Sequence, residues 1–168
     1  MLDTNYVSDA TISPCGRYRS HLSRMWDRNK EHALFIMLNP STADALLDDP
    51  TIRRCIGFAR AWGCGGVVVT NLFQLRATDP KELLKGVELN PPTCDETIDQ
   101  AMVQTCVTIA AWGALHPKLR YRAGQLDKVA QKRGRQLHSL GVTKDGWPRH
   151  PLYLRNGLTP QLYFGPKG

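Results

Sequence analysis

Two polar residues, Asn39 and His150, are the side chains of this sequence best placed to do chemistry. Asn39 directly follows an apolar run and precedes a proline, so the chain must leave regular structure at that point. His150 lies between Arg149 and Pro151 in a segment rich in turn-forming residues, without the apolar periodicity of a core histidine. An imidazole so placed can donate to a developing oxyanion or shuttle a proton. The alternative for Asn39 is a turn that merely ends the strand.

Charged side chains follow Asn39 closely in the sequence. Asp44, Asp48 and Asp49 can be considered as metal ligands, but Asp49 precedes a proline as a helix N-cap does, and this second interpretation is favoured. Arg53 and Arg54 stand near the start of that helix, where the helix dipole disfavours cations. A phosphate or carboxylate partner would explain them, as would simple exposure to solvent.

Several reaction classes lack their usual sequence signals. The chain contains no G-x-x-x-x-G-K, no G-x-G-x-x-G after a strand, no H-E-x-x-H and no G-x-S-x-G. The 5 cysteines are odd in number and include no C-x-x-C pair, which argues against a disulfide framework and a zinc ribbon. We therefore predict no resident metal and no cofactor.

The elements that must position Asn39 and His150 form an alternating pattern. Short apolar runs predict buried strands at residues 34–38, 67–72, 106–111 and 136–140. Amphipathic patterns between them predict helices that begin at residues 49–50, 93 and 117. The pattern predicts an α/β fold, with residues 1–168 forming a single three-layer α/β/α domain around a largely parallel sheet. Residues 1–30 are expected to form an N-terminal arm or a short helix, at residues 17–28, packed on that domain.

The topology of such a sheet brings distant residues together. Asn39, Asn71 and Trp112 each stand at or just after the carboxyl end of a predicted strand, and the His150 loop follows the last one. Open α/β sheets bind their ligands at that edge. We therefore expect these four residues to meet in one cleft.

The charge of the chain is unevenly distributed. Lys and Arg number 22 against 15 Asp and Glu, for a net charge of +7, and only Asp127 and Asp145 are acidic after residue 116. This asymmetry indicates an acidic partner, with a nucleic acid or nucleotide as the first candidate, although a solvated basic helix at residues 117–135 is the simpler explanation. No apolar stretch reaches the roughly 20 residues of a membrane span, and the N-terminus lacks the order of a secretory signal. We expect a cytoplasmic protein without membrane contact.

Several strings of the sequence resemble one family closely. They are LSRMW, LFIMLNPSTADALLDDPTIRRCIGFARAWG, VVVTNLFQLRATDP, AAWGA and GVTKDGWPRHPLYL. Together they cover roughly residues 12–154 and resemble the bacterial and phage family known as domain of unknown function 1643. That family label implies no activity.

A more distant resemblance, to the uracil-DNA glycosylase superfamily, implies a chemistry. Its motifs at three strand ends and a late loop have counterparts here, in the same order: Leu38-Asn39-Pro40-Ser41, Thr70-Asn71 followed by Arg76, Trp112-Gly113, and His150-Pro151-Leu152. The resemblance implies a glycosylase-like fold in which Asn39 orients a water toward an anomeric carbon. His150 would then stabilise the negative charge that develops on the departing base.

The same resemblance implies roles for further residues. Arg149 and the basic segment 117–135 would contact phosphates, and Phe73, Trp112 or Tyr153 would stack on an extruded base. With the catalytic pair Asn39 and His150, the residues expected to bind substrate are Pro40, Ser41, Thr42, Asp44, Asp49, Thr51, Arg53, Arg54, Asn71, Phe73, Arg76, Trp112, Arg149 and Tyr153.

The sequence also departs from the glycosylase pattern. Leu152 replaces the serine beside the histidine, and Leu38 replaces the glycine before the asparagine. The N-terminal cysteine pair of the iron-sulfur members is missing, so no cluster is expected. The hydroxyls and carboxylates of residues 41–51 have no clear counterpart and can form a different pocket, for a free nucleotide or a modified base.

Three functions remain open at this point. The leading hypothesis is a glycosylase-like protein that hydrolyses an N-glycosidic bond or recognises a base. The first alternative is a non-catalytic nucleic-acid-binding module that depends on the basic segment 117–135. The second is a metal-dependent phosphotransferase or nuclease that uses Asp44, Asp48 and Asp49.

Overall fold

A seven-stranded mixed sheet forms the centre of the structure, a computed structural model that describes residues 5–166. The first four and last two residues of the predicted 1–168 domain lie outside the described residues. In chain order the strands are β1 (Val7–Ile12), β2 (Arg19–Met25), β3 (His32–Met37), β4 (Gly66–Asn71), β5 (Val107–Ala110), β6 (Leu137–Ser139) and β7 (Gln161–Leu162).

The order of the strands across the sheet is β1-β2-β4-β3-β5-β6-β7. β4, β3, β5 and β6 run parallel, whereas β1 and β2 extend one edge antiparallel and β7 extends the other. The prediction of an α/β domain is therefore confirmed, with a correction: the sheet is mixed and only partly parallel.

Three helices cover the two faces of this sheet in the described part of the chain. Helix α1 (Pro50–Ala61) packs on one face together with the β3 side chains Ala33, Phe35 and Met37. Helices α2 (Cys94–Val103) and α3 (Tyr121–Lys132) pack on the other face, with Leu34 and Ile36. Alternate residues of β3 thus enter two separate cores, which explains why its sequence is apolar without a period.

Neither the short helix nor the irregular arm predicted for residues 17–28 is found, because β2 occupies most of this segment and pairs with both β1 and β4. Its buried residues include Arg19, Leu22 and Arg24. Two of these are arginines whose partners come from distant parts of the chain, so the sequence shows no apolar alternation.

The other helices form near the predicted positions, with differences at their first residues. Asp49 caps α1 as expected, since its Oδ1 accepts the Ile52 N–H at 2.9 Å. The Thr93 side chain makes no cap hydrogen bond, and the basic helix starts at Tyr121 after a short 3-10 turn. The sequence does not predict strands β1 and β7. Among the described residues, no helix has the length and apolar character needed to cross a membrane.

Candidate functional site

A pocket of about 360 Å³ opens at the carboxyl ends of β3, β4 and β5, and is called here the strand-end pocket. It brings together residues from six separate parts of the sequence, at positions 19, 37–41, 49–52, 71–80, 112 and 150. Of the predicted site residues, those that line it are Asn39, Ser41, Asp49, Thr51, Asn71, Trp112 and His150.

The position of the strand-end pocket follows from the order of the strands. The connection after β3 leads to α1 on one face of the sheet, and the connection after β5 leads to α3 on the opposite face. The two connections therefore diverge at the edge where these adjacent strands end. Such a switch point leaves a crevice in open α/β sheets, and ligands bind there.

Asn39 is held in one orientation by its amide nitrogen. Its Nδ2 donates to the backbone carbonyls of Pro40 at 3.1 Å and Ala77 at 2.8 Å. Both partners can only accept, which fixes the nitrogen on their side. The opposite atom, Oδ1, accepts no hydrogen bond from residues 5–166 and is available to a water or a ligand.

His150 presents a defined tautomer to the pocket. Its Nδ1 accepts the Leu152 N–H at 3.2 Å, so in the neutral ring the proton is carried by Nε2. Burial lowers the pKa of His150 below its ordinary 6.5, and the negative charge of Asp49 opposes this shift. At neutral pH the ring is therefore uncharged, with one N–H to donate.

The loops that carry Trp112 and His150 are joined by backbone contacts. Gly113, which has a φ of +75° that favours glycine, donates its N–H to the carbonyl of Pro148 at 2.9 Å. The Arg149 N–H donates to Gly141 at 2.9 Å and closes the turn before His150. Local turn chemistry thus brings the histidine loop against the end of β5.

Arg19 lines the strand-end pocket and was not predicted. Its side chain is only 2% exposed; Nη1 donates to the Ala43 carbonyl at 2.9 Å and Nη2 to Asn71 Oδ1 at 3.5 Å. No carboxylate among the described residues lies within 4.0 Å of it, and its buried Nε has no hydrogen-bond partner there. Burial lowers the pKa of Arg19 to about 10, so the guanidinium is still charged at neutral pH.

Two further lining residues have buried donors without a partner. Within the described chain, Asn71 Nδ2 and Trp112 Nε1 make no hydrogen bond, although the two side chains are 2% and 3% exposed. Leaving a buried donor unsatisfied costs about 1–3 kcal/mol. Arg19, Asn71, Trp112 and His150 thus bring four donor-bearing side chains to the lining, which suits a ligand with several acceptor atoms.

Asp49 is the only carboxylate that lines the strand-end pocket among the described residues. Its Oδ1 is used in capping α1, which leaves Oδ2 toward other partners. The hydroxyls of Ser41 and Thr51 lie in the same lining. Because Asp49 balances the charge of Arg19, the lining has no net charge when His150 is neutral.

Thr42 and Arg76 lie outside the strand-end pocket but line a groove that adjoins it. This open groove, called the arginine groove, has a volume of about 480 Å³ and also contains Arg17. Ser41, Ala77 and Thr78 belong to both linings. The predicted residues Ser41, Thr42 and Arg76 are thus brought together.

Several predicted residues are not at the strand-end pocket. Phe73 is fully buried and packs edge-on against Tyr121 at 6.2 Å, which leaves no face for a base to stack on. Tyr153 is 91% exposed and does not line the pocket. Arg149 is exposed, also outside the lining, and donates through Nε to the Val142 carbonyl at 3.0 Å. Of the aromatic candidates, only Trp112 lies at the site.

Three other predicted residues have roles within the fold. Pro40 is buried and its carbonyl accepts the Ala77 N–H at 2.9 Å. Arg53 donates to the Asp48 carbonyl at 2.8 Å, and Arg54 donates to Asn156 at 2.6 Å and to the Leu154 carbonyl. Arg53 and Arg54 line a separate surface depression beside α1.

The three aspartates do not form a cluster. Asp44 Oδ1 accepts the Leu46 and Leu47 N–H groups at 2.8 and 2.9 Å, and Asp48 pairs with the buried Arg24 at 2.8 Å. Asp49 caps α1. No group of three or more His, Cys, Asp or Glu side chains within residues 5–166 is arranged to hold a metal ion. The metal-dependent alternative therefore has no support from these residues.

The basic segment is partly neutralised within the fold. Arg122 is buried and pairs with Asp95 at 2.5 Å, and Arg133 binds Asp99 through two hydrogen bonds of 2.5 Å. Within residues 117–135, the exposed cations without an ion pair are Lys118, Arg120, Lys128 and Lys132, and Arg120 lies over the Trp147 ring at 5.5 Å.

Comparison with known proteins gives one match. No curated protein and no solved structure matches the chain. A family described as "Protein of unknown function (DUF1643)" matches residues 17–152, which include both β2 with Arg19 and the His150 loop. The match covers most of the sequence, and the chain belongs to this DUF1643 family.

Proposed function

We propose that the strand-end pocket binds a nucleobase and that the protein hydrolyses the N-glycosidic bond of a nucleobase-containing substrate. The observation that carries this proposal is that Asn39 and His150 line the same pocket although they are far apart in the sequence. Each is held so that one defined polar atom is available, the Oδ1 of Asn39 and the Nε2–H of His150.

These two atoms have complementary roles in the proposed reaction. Asn39 Oδ1 accepts a hydrogen bond from a water and directs its oxygen at the anomeric carbon. The carbon-nitrogen bond breaks with its electron pair passing to the base, while the water oxygen forms the new bond to that carbon. His150 donates to a carbonyl oxygen of the departing base and stabilises the charge that develops there.

Asp49 completes the proton balance of this reaction. An asparagine side chain cannot take the proton that the attacking water loses, whereas the carboxylate of Asp49 can. The base leaves as an anion and takes a proton from solvent. Asp49 thus acts as the proton acceptor, and Asn39 positions the water.

The donor-rich wall of the pocket favours one class of base. Arg19 and Trp112 can donate but not accept, and the unpartnered atom of Asn71 is also a donor. Carbonyl oxygens and ring nitrogens of a base can accept from them, but an exocyclic amino group cannot. We therefore favour oxo bases, such as uracil or hypoxanthine, over cytosine and adenine.

The distant resemblance to uracil-DNA glycosylases supports this proposal, and a glycosylase-like fold is part of it. Asn39 follows the first of the four parallel strands, Asn71 ends the second and Trp112 follows the third. His150 lies in the loop beyond the fourth. The ends of these strands share one edge of the sheet, and this supports the glycosylase-like part of the proposal.

A base-release assay tests the proposal. DNA that contains uracil, hypoxanthine or hypermodified bases, and the free nucleosides, are incubated with the protein, and the released base is measured by chromatography. We expect His150→Ala to lower the rate about 100- to 1,000-fold, the effect of losing one donor to a developing anion. Asn39→Ala should also lower it, and the exposed Tyr153→Ala is the matched control. No release from any substrate, with binding unaffected by Asn39→Ala or His150→Ala, would contradict the proposal.

A second candidate function is nucleic-acid binding without catalysis. It is favoured by the exposed, unpaired lysines Lys118, Lys128 and Lys132, which lie at or near one helix. This function predicts salt-dependent binding of DNA or RNA that survives the loss of Asn39 and His150. The release assay and the binding assay therefore separate the two functions.

A further inference from the structure

The arginine groove is the part of the surface that the proposed base chemistry leaves unexplained. It lies between the loop that follows β3 and the loop that follows β4. Ser41, Ala77 and Thr78 separate it from the strand-end pocket and line both. The groove is therefore immediately adjacent to the pocket, on the other side of these three residues.

The side chains of the arginine groove are cationic or hydroxylic. Arg17 and Arg76 supply two guanidinium groups, and Ser41, Thr42 and Thr78 supply three hydroxyls. No carboxylate is found in this lining among the described residues. Guanidinium and hydroxyl donors around one concave surface are the usual partners of phosphate oxygens.

Neither arginine is neutralised by the fold. The Arg76 Nη1 donates to the Gly16 carbonyl at 3.2 Å, and its buried Nε has no hydrogen-bond partner in residues 5–166. Arg17 is exposed and lies over the Tyr18 ring at 5.7 Å. Within the described residues, no carboxylate lies within 4.0 Å of the charged nitrogens of either side chain. Both therefore keep donors for a ligand.

The charge of Arg76 reaches the buried Arg19 at the boundary between groove and pocket. Burial lowers the pKa of Arg19 most, the carboxylate of Asp49 opposes this shift, and the charge of Arg76 lowers the pKa further. Asp44 is a carboxylate near enough to be influenced by Arg76, but it does not line the groove. An anion in the groove would relieve this repulsion.

We propose that the arginine groove binds the phosphate of a nucleotide whose base occupies the strand-end pocket. This inference rests on the proposed function and specifies its substrate class as a phosphorylated nucleoside. Arg17 and Arg76 hold the phosphate oxygens, with the hydroxyls of Thr42 and Thr78 beside them, and the sugar lies across the shared wall. The phosphate belongs to a free mononucleotide or to the backbone of a strand.

Calorimetric titration of matched ligands tests this subsite. Uridine and inosine are compared with their 5′-monophosphates, and inorganic phosphate is titrated alone. The monophosphates should bind about 10- to 100-fold more tightly than the nucleosides, the range expected for charge-assisted hydrogen bonds. Arg17→Gln and Arg76→Gln should remove this advantage, which is measured in each variant as the ratio of its monophosphate affinity to its nucleoside affinity. Lys128→Gln, an equal loss of charge on exposed α3, should preserve it.

Two variants are used so that misfolding of one of them cannot explain a loss of monophosphate binding. Arg76→Gln loses a bond to the Gly16 carbonyl, whereas the Arg17 side chain is exposed and makes one ring contact, so Arg17→Gln is expected to fold as the wild type does. Circular dichroism melting checks both. A short single-stranded oligonucleotide serves as the last ligand. If it binds more tightly than the monophosphate, and the variants lose this binding, the phosphate belongs to a strand. If it binds more weakly, the phosphate belongs to a mononucleotide.

The failures of the two proposals are distinguishable. If nucleosides and monophosphates bind with equal affinity, the phosphate subsite is wrong while base binding stands. If inorganic phosphate binds and loses affinity in Arg17→Gln and Arg76→Gln, but no nucleoside binds, the subsite stands and the base pocket fails.

Discussion

The Nη2 of Arg19 donates to the Oδ1 of Asn71 at 3.5 Å and so joins strand β2 to the carboxyl end of β4. Both side chains are 2% exposed, and each retains one nitrogen without a partner in the described residues, Nε of Arg19 and Nδ2 of Asn71. Unsatisfied buried donors destabilise a fold by about 1–3 kcal/mol each. The pair is therefore better explained by a ligand that accepts from it than by a contribution to stability.

Replacement of Arg19 should separate binding from stability. Arg19→Met removes a buried charge that has no paired carboxylate but leaves the Ala43 carbonyl and Asn71 Oδ1 without their donor. Because these effects oppose each other, we expect the free energy of unfolding in urea to change by no more than about 1 kcal/mol. Uridine or inosine affinity should fall at least about 10-fold.

Arg19→Lys is the matched control, since it keeps the charge and loses the planar set of donors. It should bind these ligands more weakly than the wild type does and more tightly than Arg19→Met. Wild-type affinity in Arg19→Met would show that Arg19 does not contact the ligand.

Arg24 lies on the same strand as Arg19, but its replacement should lower the stability of the fold instead of ligand affinity. It is also buried, but its Nε pairs with Asp48 Oδ1 at 2.8 Å, and Asp48 accepts a second hydrogen bond from Tyr6. Arg24→Met leaves a largely buried carboxylate without its cation, which should lower the free energy of unfolding by about 3–5 kcal/mol. The double variant Arg24→Met/Asp48→Asn should recover a large part of this loss. An additive double variant in urea denaturation would contradict this account.

The sequence predicts β3, β4 and β5 because each is a short, nearly continuous apolar run, which a strand covered on both faces requires. It does not predict β2, because Arg19 and Arg24 are buried through contacts with segments far along the chain. No local pattern distinguishes such arginines from exposed ones. Arg19, the buried cation of the site, was therefore visible only in three dimensions.

The positions of the aromatic candidates at the strand ends also could not be predicted from local sequence. Phe73 and Tyr153 each follow a polar motif and Trp112 follows the apolar end of β5, but beyond the last ladder hydrogen bond the side chains no longer alternate with a fixed period. The loop conformation turns Phe73 into the core and leaves Tyr153 in solvent. Strand order determined that Asn39 and His150 would share an edge, whereas loop geometry determined which aromatic residue joined them.

The protonation of His150 should be measurable directly. Burial lowers its pKa and Asp49 opposes this shift, so an NMR titration should give a value below 6.5, and Asp49→Asn should lower it further. Asparagine can still accept the Ile52 N–H, which preserves the cap of α1. A pKa above 6.5, or one that rises in Asp49→Asn, would contradict the assigned environment.

The lowered pKa of His150 also determines the direction in which stability changes with pH. The unfolded chain protonates the histidine at higher pH than the folded protein does, so the free energy of unfolding should fall as pH drops from 6.5 through the folded pKa. His21, whose pKa burial also lowers against the opposing charge of Asp9, acts in the same direction. His150→Gln and His21→Gln, denatured in urea from pH 5 to 8, should each remove part of this dependence.

Base release should decline over the same range, because protonated Nδ1 cannot accept the Leu152 N–H.

Cations of the basic segment should divide into two classes, exposed and structural. Lys118, Lys128 and Lys132 are exposed, and their combined replacement by Gln should change the free energy of unfolding by less than about 0.5 kcal/mol per site. If a strand contacts them, the slope of log affinity against log salt should fall by about 1 for each lysine. Hydrolysis of free nucleosides should be unchanged, because these lysines do not line the strand-end pocket.

Arg122 belongs to the structural class. Its Nε donates to the Leu72 carbonyl at 2.7 Å, and its Nη1 pairs with Asp95 at 2.5 Å beneath α3. Arg122→Gln removes a donor to the buried Leu72 carbonyl and the cation beside Asp95, whose side chain is 55% exposed, so urea denaturation should show a loss of about 1–3 kcal/mol in the free energy of unfolding. The salt slope of oligonucleotide binding should remain that of the wild type, because a buried guanidinium cannot reach a phosphate. A reduced slope in Arg122→Gln, with an unchanged slope in the triple lysine variant, would show that this division of the segment is wrong and would remove the basis for strand binding along α3.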